Sequence, residues 1–247
     1  MRYKITIEYD GTDYVGWQKQ SDLPHKLSIE EVIEKAVFQM TGERTKINGA
    51  GRTDAGVHAI AQVADFFVHK EFDALRIVAG LNNYLVKSSV SIVNCEIVDD
   101  NFSSRFDAKM RHYRYIIINR KANLALQKNR AWHVRSPLDA KAMQIAANYL
   151  IGEHDFSSFR DAECQAISPI RTMEKITIKT TEDSLVIDIS AKSFLHHMVR
   201  NIVGTLMWVG KNKINSSDIL QILKSCDRTK SGPNAPACGL YFLGVDY

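Results

Sequence analysis

A chain of 247 residues with 45% hydrophobic and 24% charged residues is long enough and apolar enough to bury a sizeable core, which excludes a disordered chain. No apolar run reaches the roughly 18–20 residues that cross a bilayer, and the start Met1-Arg-Tyr-Lys-Ile-Thr-Ile-Glu-Tyr9 alternates unlike a signal peptide, so no membrane role is expected. The four cysteines lie far apart with no Cys-x-x-Cys pair, which argues against a zinc ribbon or disulfide scaffold and points to the reduced cytoplasm, while a net charge of +4 admits nucleic acid as a partner.

Residues 2–10 put Tyr3, Ile5, Ile7 and Tyr9 on one face and predict a half-buried strand. Gly11-Thr-Asp-Tyr-Val-Gly-Trp-Gln18 breaks the alternation and predicts a loop bearing two exposed aromatics. Ser28 with Glu31 three residues on is a capping box, followed by the apolar stripe Ile29, Val32, Ile33, Ala36, Val37 and Met40 and the stop Gly42. Strands are predicted near 44–50 and 60–68, a helix near 73–84 and a strand near 89–98. Between the first two strands runs Gly49-Ala-Gly-Arg-Thr-Asp-Ala-Gly-Val-His-Ala59. It holds Asp54 two residues after Arg52, among Gly49, Gly51 and Gly56. A neighbouring guanidinium favours an ionised carboxylate, and glycines admit tight turns and close approach by another molecule. That combination suits a nucleophilic acid.

A strand is predicted from about Lys109 to Asn119. It lies in a basic segment that holds Arg105, Lys109, Arg111, Arg114, Arg120, Lys121, Lys128, Arg130 and Arg135 against one acid, Asp107. Tyr113, Tyr115 and Trp132 are interleaved. Cations for phosphates and rings for base stacking form a nucleic-acid pattern. Ser136-Pro-Leu-Asp139 then predicts a helix start, with Ser136 as cap, running to Leu150 and stopping at Gly152. Gly152-Glu-His-Asp-Phe-Ser-Ser-Phe159 reads as a loop packed by its phenylalanines. Strands near 171–180 and 184–191 form a hairpin, helices span about 194–209 and 216–225, and Gly239–Tyr247 is a terminal strand. On the 194–209 helix His196 and Arg200 are four residues apart and share a face. Adjacent His196 and His197 lack partners at zinc-ligand spacing, so no metal is expected. No GxxxxGK[ST], GxGxxG or GxSxG occurs.

Two strand–helix–strand halves predict an α+β fold. Its two α/β subdomains, 1–104 and 105–247, would have antiparallel sheets joined around a central cleft, with helices on the outer face. The first carries the Asp54 loop; the second carries the basic strand and the helix expected in the cleft.

Several segments together resemble the tRNA pseudouridine synthase A family. They are Tyr9-Asp-Gly-Thr-Asp-Tyr-Val-Gly-Trp-Gln18, Gly51-Arg-Thr-Asp-Ala-Gly-Val-His58, Arg105-Phe-Asp-Ala with Tyr113-Arg-Tyr-Ile-Ile117, Gly152-Glu-His-Asp-Phe-Ser157, His196-His-Met-Val-Arg-Asn-Ile-Val-Gly204 and Ala235-Pro-Ala-Cys-Gly-Leu240. The resemblance implies an isomerase that makes pseudouridine in the tRNA anticodon stem-loop at positions 38 to 40. It implies a homodimer that needs neither cofactor nor metal. It implies Asp54 as nucleophile, Arg52 and Arg200 as cations near it, and Tyr113 as the ring that stacks on the target base. Arg105, Lys109, Arg111 and Arg114 are expected to meet phosphates. The chain departs from the family at Ser28-Ile-Glu30, at Val86 in place of a proline, and at Asn101-Phe-Ser-Ser-Arg105. Two rival classes are an RNA-binding module without chemistry and a metal-dependent nuclease using His196 and His197. Attack on the base C6 and chemistry at the sugar C1′ both stay open, as does the group that removes the C5 proton.

Overall fold

In the computed structural model, which describes residues 1–20 and 26–247, the chain forms two units. One holds Met1–Lys109 and Tyr241–Tyr247, the other Met110–Leu240.

In the first unit the alternation of residues 2–9 becomes β1 (Arg2–Tyr9), whose Tyr3, Ile5, Ile7 and Tyr9 are buried. The capping box forms as expected: Ser28 Oγ accepts from the Glu31 N–H and the Glu31 carboxylate accepts from the Ser28 N–H, starting α1 (Ile29–Thr41). β1 pairs antiparallel with β3 (His58–Phe67) on one side and β4 (Val90–Val98) on the other. The strand expected over 44–50 shrinks to β2 (Asn48–Gly49), because only Asn48 and Gly49 find ladder partners, Asp65 and Ala64 on β3. α2 (Ala74–Leu85) is capped by the Asp73 carboxylate and packs against α1 and β4. The last strand of the chain, β10 (Leu240–Asp246), runs parallel to β3 through Tyr241 and Phe242.

The second unit is built on β5 (Met110–Asn119), which pairs antiparallel with β9 (Ser184–Ala191). β9 in turn pairs with β8 (Ile170–Thr180), and β8 with β7 (Gly152–Asp155). β6 (Trp132–Val134) lies parallel to β5, so both units carry a parallel pair where antiparallel sheets were expected. The segment from Gly152, expected as a loop, is strand β7 because Gly152–Asp155 finds partners in Ile170–Met173; Phe156 and Phe159 are buried as expected.

α3 (Ala140–Asn148) begins three residues later than Ser136 predicts. Asp139 is the cap, its carboxylate accepting the Ala142 N–H at 2.9 Å. The Ser136 carbonyl is occupied by Asn119 Nδ2, which holds residue 136 beside β5. α4 (Met198–Gly210) also starts late, after His197 in a left-handed conformation (φ 59°), and α5 (Asp218–Ser225) follows. The fold is α+β throughout.

Candidate active site

Asp54 opens a tight turn. Its carbonyl accepts the Val57 N–H at 3.1 Å, and Gly56 sits at φ 76°, the positive angle that the third position of a type II turn requires. A second loop braces this turn. Gly16 bridges to Asp54 and the Trp17 N–H donates to the Thr53 carbonyl at 2.9 Å. A Cβ at Gly16 (φ 107°) would overlap the Thr53 carbonyl oxygen, and one at Gly11 would overlap that of Val57. Trp17, expected to be exposed, is instead buried, its indole filling the space over Gly49 where a Cβ would lie 2.5 Å away. The segment 9–18 is therefore the cradle of the Asp54 turn.

Three buried polar side chains bond within and just before the turn, Gln62 to its leading backbone and Tyr9 to the Thr53 side chain. Tyr9 Oη and Thr53 Oγ1 are hydrogen-bonded at 2.8 Å, and Gln62 Nε2 donates to the Gly51 carbonyl at 2.8 Å. Burial pushes the Tyr9 phenol up to about 12 despite those hydrogen bonds, so it stays protonated through the neutral range. His58 Nδ1 accepts the Gly11 N–H at 3.1 Å, tying the two loops from the far side. The sequence places Tyr9 on the inner face of its strand, and Tyr9 and His58 mark the ends of two of the family-like segments. It gives neither them nor Gln62 this bracing role.

Asp54 itself is half-buried and Arg52 is exposed. The positive charges of Arg52 and Lys46 also act on Glu30, whose half-buried carboxyl burial nonetheless raises. Arg105 and Lys109 are exposed, with the Arg105 guanidinium 5.4 Å from the ring of Phe106.

In the second unit Tyr113 is 8% exposed and meets Phe194 edge-on, ring centres 5.0 Å apart. Tyr115, two residues on, is fully buried and donates to the Pro236 carbonyl at 2.7 Å. The neighbouring cations already hold protein partners. Arg114 grips Asp188 with two bonds at 2.7 and 3.1 Å across the β5–β9 ladder, and Arg111 donates to the Lys192 carbonyl at 2.7 Å.

Arg200 lies in the first turn of α4, where its Nε donates to the Ala235 carbonyl at 2.7 Å and its own carbonyl accepts the Ala235 N–H at 3.1 Å. His196 does not share a helical face with it, because the helix begins only at Met198. Instead the His196 and His197 rings stack 3.9 Å apart, and His197 Nδ1 lies 2.6 Å from an Asp161 carboxylate oxygen. Burial raises the Asp161 pKa, but the Glu163 N–H and His197 outweigh it and hold the carboxyl below its ordinary value.

The two units thus hold a clamped carboxylate turn, and an arginine and a tyrosine oriented by their own unit's backbone and rings. A sequence model of the tRNA pseudouridine synthase family matches residues 5–107 and 146–247. A tRNA pseudouridine synthase A of Wolbachia pipientis wMel is 49% identical over 247 residues, covering the whole of both chains. Another, of Beijerinckia indica subsp. indica, is 50% identical over 248 residues, covering 100% of this chain and 94% of its own. A third, of Ehrlichia canis (strain Jake), is 48% identical over the full length of both. Matches of this extent and identity establish that the chain belongs to the tRNA pseudouridine synthase family.

Proposed function

We propose that the chain isomerises uridine to pseudouridine in tRNA, at positions 38 to 40 of the anticodon stem-loop, with Asp54 as nucleophile and without cofactor or metal. The observation that carries this reading is the Asp54 turn, whose backbone is held by the 9–18 loop and by Gln62, with the adjoining Thr53 side chain bonded to buried Tyr9. A surface turn that merely bound RNA would need no such clamp, whereas a reacting group gains from fixed geometry.

The target base leaves its stack at a cost of a few kcal/mol. Stacking on Tyr113 returns roughly 1–3 kcal/mol of that. Arg52 and Arg200 favour the ionised form of Asp54, which attacks the uracil ring or the sugar C1′. The N1–C1′ bond breaks, the base turns, and a C5–C1′ bond forms. The bond from Asp54 to C1′ or C6 breaks, as C5 displaces the carboxylate in the first case or by elimination in the second, which returns Asp54 as a free carboxylate. The C5 proton then leaves and N1 gains one, so atoms balance with no redox change. In this reading residues 1–104 supply the nucleophile and 105–247 supply Tyr113, Arg200 and RNA contacts. Arg105, Lys109, Arg111 and Arg114 face phosphates. The homodimer rests on the family resemblance, and the cytoplasmic setting on the scattered cysteines. Among the described residues no helix is long and apolar enough to cross a membrane.

Unmodified tRNA transcripts with uridines in the anticodon arm, incubated with wild-type protein or Asp54→Asn and chelator, test the proposal. Carbodiimide labelling and primer extension should give stops in the anticodon arm for wild type and none for the variant. Stops elsewhere would overturn the target. Equal stops from both proteins would overturn the nucleophile.

A further inference from the structure

The guanidinium of Arg228 belongs to no proposed RNA contact, yet both of its terminal nitrogens bond within the protein. One nitrogen, Nη2, donates to Asn201 Oδ1 at 2.9 Å; the other, Nη1, donates to Ser231 Oγ at 2.8 Å and to the Gly232 carbonyl at 3.0 Å. Asn201 is fully buried one residue after Arg200, and its Nδ2 donates to the Phe159 carbonyl at 3.0 Å. One turn on, buried Thr205 Oγ1 donates to the Asn201 carbonyl at 2.7 Å and accepts the Gly232 N–H at 2.8 Å. Between them lies Gly204, where a Cβ would overlap the Pro233 carbonyl oxygen. The segment 231–235 is thereby laid along α4 at backbone contact. Its end is the Ala235 carbonyl, the acceptor that holds Arg200 Nε.

We propose that Arg228, acting through Asn201 and the 231–235 segment, is a positioning residue that aims the Arg200 guanidinium. A guanidinium on a flexible stem has many rotamers, and fixing its Nε leaves the two Nη groups pointing in one direction. The carbonyl that fixes it stands at the end of a loop, not on a ladder, so something must hold that loop. The bidentate fork of an arginine suits this task, reaching a side-chain amide on the helix and the loop backbone together. The inference rests on Arg200 acting at the reacting centre.

The test is a double-mutant cycle on the single-turnover rate of pseudouridine formation, with tRNA Kd and Tm measured for each protein. Arg228→Met should slow the wild-type reaction roughly ten- to hundredfold, as misplacement of a reacting group does, with Kd changed less than about twofold. In an Arg200→Met background the same substitution should change the rate less than about threefold, since no aimed guanidinium remains to lose. It should lower Tm by the same amount in both backgrounds. Arg228→Lys, which keeps the charge but not the fork, should recover Tm more than rate. Equal rate losses in both backgrounds would overturn the positioning role while leaving Arg200 in place. A fully active Arg200→Met would instead overturn the role of Arg200 itself, and with it this inference.

Discussion

Replacing Gly16 by alanine tests whether the Asp54 turn is held from the neighbouring loop. The new methyl would overlap the Thr53 carbonyl oxygen and lie 2.9 Å from the Asp54 carbonyl carbon. Overpacking of this kind costs about 1–3 kcal/mol. The φ of 107° adds about 1–3 kcal/mol of backbone strain for a residue with a side chain. Together these reach about 2–6 kcal/mol, and at roughly 2–4 °C per kcal/mol for a chain of this size Tm should fall by about 4–24 °C. The rate should fall further than occupancy of the folded state explains, because relief of the overlap pushes Thr53 and Asp54 outward. A displacement near 1 Å can cost about a hundredfold. The control is Gly42→Ala at the end of α1, where φ is 80° but no atom lies within 4 Å of the new methyl. It carries strain alone and should leave the rate unchanged. Thermal unfolding and single-turnover pseudouridine formation, measured below both midpoints, separate the effects. Equal Tm losses for the two variants, with Gly16→Ala fully active, would refute the brace.

Tyr9→Phe removes the buried partner of Thr53 Oγ1 and should cost about 1–3 kcal/mol, with a slower rate and unchanged tRNA Kd; an unaltered rate would detach Tyr9 from the turn. Lys109→Ala should lower the salt slope of tRNA binding by about 0.7–0.9, the value of one phosphate contact. Arg114→Ala should lower it less, because Asp188 already holds that guanidinium; equal slopes would refute the distinction. The half-buried Glu43 carboxylate is held down to about 2, against an ordinary 4.5, by the N–H groups of His69 and Lys70 and by the His69 ring. Its depressed pKa means the unfolded state binds more protons between pH 4.5 and 2. The stability it contributes is therefore complete above 4.5 and lost as pH falls toward 2. Glu43→Gln should flatten that part of the Tm–pH curve, and a curve parallel to wild type would sink the assignment.

Local chemistry was legible in the sequence wherever it acts within a few residues. The Ser28–Glu31 box and Gly42 bound α1, alternation placed β1, and the β8–β9 hairpin formed where the pattern put it, since each depends only on neighbours along the chain. The Arg-Thr-Asp-Ala-Gly stretch likewise announced a turn before any fold was known. Starts and ends decided by distant partners were not legible. Ser136-Pro137 is a good helix start in isolation, but Asn119 takes the Ser136 carbonyl and the start passes to Asp139. Trp17 looked like an exposed ring because nothing in residues 11–18 shows that Gly49 leaves room for an indole. The return of the last strand to β3 pairs Tyr241 with His58, and the Arg228 fork reaches back 27 positions to Asn201. Periodicity and capping report the free energy of a short segment; which distant carbonyl or cavity a side chain fills is settled only when the whole core packs, and the sequence carries no local trace of it.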